Sequence, residues 1–333
     1  MNEIILVLSF LLSFLLSIYG TPVARNVAVR YGILDYPDHK LKQQREPVPY
    51  LGGIIIYFSF IAPVSLLFPF SKTLLRILFA SSILLIVGLF DDLKALTPAI
   101  KFLFQIVATF ILIRSGIVID LSFISPFLNH VISFLWIISM INAINIIDVM
   151  DGLAPSVTAL AAISVFVISL YNRQFLISIL SLSLAGSLMG FLRYNWEPAQ
   201  IYLGDSGSMF LGMVIGALTI LGDYSTYNDL AFISGFFILS FPIFDMIYVM
   251  TLRLIKGRSP FFGSPDHLAL RLKKKFGLTA AQTVCGILIV QLLLTLVVFV
   301  NFYSHPTLTI ITSLAIVLFF AMIGIWLAEE KME

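Results

Sequence analysis

The chain has 333 residues, of which 59% are hydrophobic and only 11% charged. Soluble domains run at about 45–50% apolar and about 25% charged, so a water-soluble globule of this composition is excluded. The net charge of +2 says little by itself, and nucleic acid is not expected as a partner.

A span takes about 20 mostly apolar residues, and eleven stretches approach that. They are roughly 4–20, 51–70, 74–90, 99–114, 130–147, 156–171, 175–192, 208–222, 229–252, 280–302 and 307–327. Ten spans result if one short stretch is re-entrant. The expected fold is all-α: a polytopic integral membrane protein of one domain, 1–333, with no room for a separate soluble one. The start, Met1-Asn2-Glu3, lacks the positive region of a secretory signal, so 4–20 reads as a retained first helix. The single cysteine, Cys285, can form no internal disulfide.

Basic residues orient the chain. With the N-terminus outside, the loops at 21–50, 91–98, 148–155, 193–207 and 253–279 and the C-terminal tail face the cytoplasm. Together with Lys101 they carry 16 of the 20 lysines and arginines. This is a positive-inside bias.

The acidic residues test that topology independently, because they played no part in fixing it. Asp91-Asp92, Asp148, Asp151, Asp205 and Asp266 all fall in loops assigned to the cytoplasmic side. Asp120, Asp223 and Asp229 lie opposite, in no comparable cluster of Asp, Asn and Gly.

Asp91-Asp92 closes one span, and Pro98 and Lys101 open the next. Adjacent carboxylates repel unless a cation lies between them, and Mg²⁺ is typically held by one or two carboxylates plus substrate phosphates. Asn142, Asn145, Asp148 and Asp151 recur every third residue at a helix end. Polar groups at the foot of an apolar span need partners, so function is the default reading. In Tyr202-Leu-Gly204-Asp205-Ser206-Gly207-Ser208, glycines flank an aspartate where a helix begins. Backbone N–H groups there can approach an anion, although the spacing is not that of a Walker loop or a dinucleotide fingerprint. The basic loop from Arg253 to Lys275 includes Pro265-Asp266-His267 and Arg271; it suits a diphosphate, and equally orientation or anionic lipid. Asp245 is the one acid well inside a span, either functional or a paired structural charge.

In this order the segments resemble the polyprenyl-phosphate N-acetylhexosamine-1-phosphate transferases. That family includes the translocase of the first peptidoglycan lipid intermediate and the enzymes that initiate teichoic-acid, O-antigen and common-antigen synthesis. The resemblance spans about 35–272. It runs through Lys42, Pro47-Val-Pro49-Tyr-Leu-Gly52-Gly53, Asp91-Asp92, Lys101 and Gln105, then Asn142 to Leu153, Tyr202 to Ser208, Pro242, Asp245, Arg253 and Asp266-His267. There are departures. Gln44 stands where the initiating enzymes usually carry His. The usual His-x-His-His is His267-Leu-Ala269-Leu270, and Val149 replaces a glycine. The triple histidine and extra segment of the peptidoglycan translocase are absent, which favours the initiating branch.

The resemblance implies transfer of N-acetylhexosamine-1-phosphate, foremost GlcNAc-1-phosphate, from the UDP-sugar to undecaprenyl phosphate with release of UMP. The expected setting is a bacterial inner membrane with the site on the cytoplasmic face, and a homodimer is compatible with it. Asp205 is the implied Mg²⁺ ligand, joined by Asp91 and Asp92 beside the acceptor phosphate; Mn²⁺ could substitute. Lys101 and Lys42 would neutralise phosphates. Asn142, Asn145, Asp148, Asp151 and Asn195 would bind the nucleotide, with Tyr202 stacking on uracil. His267 and Arg271 would meet the diphosphate or the sugar. A flippase for a lipid-linked sugar is the competing class, but the internal repeats common in transporters are not seen. A CDP-alcohol phosphatidyltransferase is disfavoured too, because Asp151-Gly152 continues as Leu-Ala-Pro.

Overall fold

The computed structural model describes residues 2–37, 46–69, 71–222, 224, 230, 232–260, 263–330 and 332. Lys42, Gln44, Asp223 and Asp229 lie outside them. The helices are α1 (Asn2–Arg30), α2 (Gly52–Leu67), α3 (Lys72–Leu93), α4 (Pro98–Arg114), α5 (Pro126–Ile147), α6 (Leu153–Tyr171) and α7 (Phe175–Asn195). They continue as α8 (Gly204–Leu221), α9 (Phe232–Phe237), α10 (Ser240–Ile255), α11 (Leu268–Phe276), α12 (Ala280–Tyr303) and α13 (Pro306–Ala328). Among the described residues, ten of the eleven apolar stretches fall mainly on a single helix each, and 229–252 falls on two. Eight helices among the described residues are long and apolar enough to cross a membrane, and the chain is a multi-pass membrane protein.

α8 is the centre. In its most apolar window 78% of residues are buried, against 22% for α13 at the periphery. Small residues let the inner helices approach closely, as expected where lipid supplies no hydrophobic drive between helices. A Cβ added at Gly186 or Gly190 of α7 would lie 2.5 or 2.6 Å from the carbonyl oxygens of Phe10 and Phe14 in α1. Large apolar side chains such as Phe58, Phe79, Phe110 and Leu314 point outward, where lipid is the natural solvent.

Three features depart from the sequence reading. The stretch 229–252, expected as one span, is broken between α9 and α10. A break inside a membrane frees backbone groups that lipid cannot satisfy. Gln291 of α12, fully buried, takes them up. Its amide nitrogen donates to the carbonyls of Phe237 (3.0 Å) and Ile238 (2.7 Å), and its oxygen accepts from the Phe241 amide (3.2 Å). The second departure is a short antiparallel ribbon, β1 (Leu34–Asp35) and β2 (Val48–Pro49), pairing Leu34 with Pro49 and Asp35 with Val48. The Tyr202 amide donates to the Pro49 carbonyl at 2.8 Å, tying the ribbon to the start of α8. The basic loop also contains α11, which the sequence reading leaves without helix.

Candidate active site

Three helix ends build the site. α3 finishes at Asp91-Asp92, α8 opens at Gly204-Asp205, and α4 carries Lys101 in its first turn. Glycine permits the convergence. A Cβ at Gly88, one turn before Asp91, would sit 2.4 Å from the amide nitrogen and Cα of Ser206. Gly204 has φ +75°, in the left-handed region that favours glycine.

The N-terminus of α8 has no side-chain cap of its own, and Asp92 supplies one from α3. Its Oδ1 accepts from the Asp205 amide at 2.7 Å; its Oδ2 accepts from the Ser206 amide at 3.2 Å and the Ser206 hydroxyl at 2.8 Å. A carboxylate is favoured at a helix N-terminus by the orphan N–H groups and the dipole. Asp92 therefore fastens two helices together, and both its oxygens are engaged.

Asp91 behaves differently. Its Oδ1 accepts from the Leu96 amide at 2.6 Å, and Oδ2 meets Lys101 Nζ at 3.0 Å. The same ammonium lies 2.6 Å from Asp205 Oδ2. The other Asp205 oxygen accepts from Asn145 Nδ2 at 3.0 Å, and Asn145 also donates to Ser208 Oγ at 2.8 Å. Asn142, one turn earlier on α5, donates to Gln105 of α4 at 2.8 Å.

Asp148 follows the end of α5, and loss of solvent together with the charges of Asp205, Asp92 and Asp151 pushes its pKa up to about 8. As pH rises, the unfolded carboxyl releases its proton first, from about pH 4. Folding stability conferred by the protonated form is thus lost as pH climbs toward the folded value. Asp148→Asn should raise the melting midpoint of the ligand-free protein by a few degrees at pH 8 and leave it little changed near pH 4. Thermal melts in detergent at both pH values check this.

Asp151 is raised by burial, against the 2.9 Å bond its Oδ2 accepts from the Ala199 amide. The Tyr202 phenol is raised by burial and by Asp151, Asp35 and Asp148. Tyr202 is half-buried, and among the described residues its ring carries no stacking contact. Asn195, expected on the nucleotide, has both ends of its amide engaged by backbone. It accepts from the Gly152 amide at 3.1 Å and donates to the Ile201 carbonyl at 2.9 Å. Being 3% exposed, it holds the loops rather than facing a ligand.

A second group of charges surrounds α11. His267 Nδ1 lies 3.0 Å from Asp245 Oδ2, and the Leu268 amide donates to Asp245 Oδ1 at 2.6 Å. Asp245 is thus a paired charge. Burial opposes ionisation of Asp266, but Lys256 and Arg271 outweigh it and hold the carboxyl below its usual range. Arg271 is buried with its guanidinium on Asp266 and on carbonyls at the end of α13. None of the hydrogen bonds or ion pairs of His267 and Arg271 among the described residues reaches the Asp91–Lys101–Asp205 group. The expectation that Arg271 meets the diphosphate or the sugar does not fit this geometry, because Asp266 and the end of α13 take up its guanidinium.

Asp91, Asp92, Lys101, Asn145 and Asp205 therefore come together as their spacing suggests, with Asp148 within electrostatic reach. The sequence reading missed Ser206 and Ser208 as the hydroxyls that hold Asp92 and Asn145. The Gly-Asp-Ser-Gly-Ser spacing was their signal. Gly88 could have been found too, one helical turn before Asp91.

The arrangement also fits a hard divalent cation. A positive group already lies between the carboxylates of Asp91 and Asp205, and the donors are oxygens, the type Mg²⁺ prefers. Among the described residues no three Asp, Glu, His or Cys side chains gather as a full metal cage. A metal here would complete its shell with phosphate and water.

Residues 74–223 match the family model described as glycosyl transferase family 4. The chain is 30% identical over 295 residues to a probable undecaprenyl-phosphate N-acetylglucosaminyl 1-phosphate transferase of Bacillus subtilis, covering 86% of this chain and 82% of that one. An undecaprenyl-phosphate alpha-N-acetylglucosaminyl 1-phosphate transferase of Thermotoga maritima is 27% identical over 263 residues, 79% of this chain and 80% of that one. A phospho-N-acetylmuramoyl-pentapeptide-transferase of Chlamydia trachomatis is 30% identical over 295 residues, 78% of this chain and 84% of that one. With aspartates, lysine and asparagine converging where the matched region folds together, the chain belongs to glycosyl transferase family 4.

Proposed function

We propose that this protein transfers N-acetylglucosamine-1-phosphate from UDP-N-acetylglucosamine to undecaprenyl phosphate. It would thereby start a cell-envelope glycopolymer on the cytoplasmic face of a bacterial inner membrane. The observation that carries the reading is Lys101 Nζ held between Asp91 and Asp205 where three helix ends meet. The names of the Bacillus and Thermotoga relatives support the choice of donor and acceptor.

In the reaction an oxygen of the lipid phosphate attacks the β-phosphorus of the UDP-sugar. The bond from that phosphorus to the bridging oxygen breaks, and UMP leaves. One phosphoanhydride replaces another, so the step is nearly isoenergetic. Phosphoryl transfer is mostly positioning and charge stabilisation, and the chain supplies both. Lys101 offsets phosphate charge, Asp92 fixes the start of α8, and Asn145 aims the Asp205 carboxylate. Asp205 with Asp91 would hold Mg²⁺, which when bound offsets the charge on phosphate oxygens. The lipid phosphate has a second pKa of about 6 by analogy with phosphorylated side chains. It arrives largely ionised, so direct in-line attack, with little base catalysis asked of Asp91 or Asp92, is preferred over a phosphoryl-aspartate. Asp148, Asp151 and Tyr202 border the space assigned to the nucleotide.

The test is UMP release by purified protein given undecaprenyl phosphate, Mg²⁺ and either UDP-N-acetylglucosamine or UDP-N-acetylmuramoyl-pentapeptide. Release with the first alone is expected. Release with the pentapeptide donor alone would move the protein to the branch of the Chlamydia relative. Silence with both would overturn the assigned donor.

A further inference from the structure

α13 ends at Ala328 with no basic residue in its last turn. Its terminal carbonyls therefore lack a cation from α13 itself, although that of Leu327 accepts from the Glu330 amide at 3.1 Å. α11 supplies what is missing. Lys275 donates to the Trp326 carbonyl at 3.1 Å. Arg271, 2% exposed, donates from Nη1 to the carbonyls of Leu327 at 2.9 Å and Ala328 at 3.5 Å, and to that of Glu330. The rest of the same guanidinium faces Asp266, donating from Nη2 to Oδ1 at 2.7 Å and from Nε to the backbone carbonyl at 3.3 Å. The next residue is His267, seated on Asp245.

We propose that Arg271 and the end of α13, Leu327–Glu330, are a positioning device for His267, so that the last helix sets the donor side of the site. The inference rests on the proposed function and on the expectation that His267, engaged through Nδ1 by Asp245, meets the donor. Arg271 acts through its neighbour and meets no substrate. Only a planar fork can serve four carbonyls and a carboxylate together; an ammonium is a single point of charge. Without the fork, Asp266, itself 1% exposed, keeps among the described residues the more exposed Lys256, at 2.6 Å, as its one ion-pair partner. The step from Asp266 to His267 then loses its hold on α13.

The experiment compares Arg271→Met, Arg271→Lys and a chain lacking residues 327–333, each purified in detergent, by hydrogen exchange and steady-state kinetics. Loss of a charge-assisted hydrogen bond corresponds to about a tenfold change. Exchange across 264–270 should therefore rise about tenfold in Arg271→Met and in the truncated chain, with peptides of α1 to α8 unchanged and Arg271→Lys intermediate. KM for UDP-N-acetylglucosamine should rise by a similar factor, about tenfold, with KM for undecaprenyl phosphate unchanged. Combining Arg271→Met with His267→Ala should cost no more than His267→Ala alone. Unchanged exchange across 264–270 would overturn the device, as would strictly additive losses in the double variant. If wild-type protein turns over no UDP-sugar, raised exchange keeps the device while the proposed function falls.

Discussion

Asp205→Asn is expected to lower UMP release by about a thousandfold or more, because it removes the charge at the meeting point of the site. Asparagine keeps the shape and can still accept the Asn145 hydrogen bond. It cannot pair as an anion with Lys101, which Asp205 approaches at 2.6 Å, nor offer a carboxylate to a divalent ion. Asp92 binds the backbone amide of residue 205 and not its side chain, so the cap on α8 survives and the fold should hold. Turnover by the purified variant, with helix content and melting midpoint as controls, checks this. Activity within tenfold of wild type would remove Asp205 from the catalytic group.

Gly88→Ala should do comparable damage without touching a functional group. The added methyl would lie 2.4 Å from backbone atoms of Ser206 and 2.5 Å from the Asp205 carbonyl. Backbone cannot swing aside as a flexible side chain can, so α3 and α8 must separate. Overpacking of this kind costs about 1–3 kcal/mol of stability. The larger effect is geometric: Asp91 and Asp92 ride on α3 and move away from Asp205 and Ser206 on α8. A misplacement of about 1 Å can cost about a hundredfold in rate. The expected result is a lower melting midpoint together with at least that loss of turnover, restored in neither respect by excess Mg²⁺. A variant with wild-type turnover would show that the two helices need not touch at this point.

The spans were legible because apolar runs of that length have few other uses. The core of the site was legible because Asp91, Asp92, Asn145 and Asp205 stand at helix ends on one side, with Lys101 opening the following helix. Other residues took their meaning from partners that no spacing reveals. Arg271 resembles a phosphate ligand until the carbonyl of Leu327, fifty-six residues on, is seen to occupy it. Asn195 resembles a nucleotide ligand until Gly152 and Ile201 are found on its amide. Asp245 could not be assigned without His267, which α11 brings back to it. The ribbon of Leu34–Asp35 with Val48–Pro49 is too short to leave a periodic signal, and the break between α9 and α10 is hidden because its partner is a glutamine in a later span.

That glutamine also constrains the order in which the chain can be made. Segments enter the membrane from the N-terminus onward, and α9 and α10 precede α12. When Phe237, Ile238 and Phe241 first leave the ribosome, Gln291 has yet to be synthesised, and their unpaired groups cannot rest in hydrocarbon. The broken segment must therefore stay beside water, or within the insertion machinery, until about fifty further residues have emerged. The break between α9 and α10 is thus closed by Gln291 only once α12 is in place, and a ribosome stalled before Gln291 would leave it exposed.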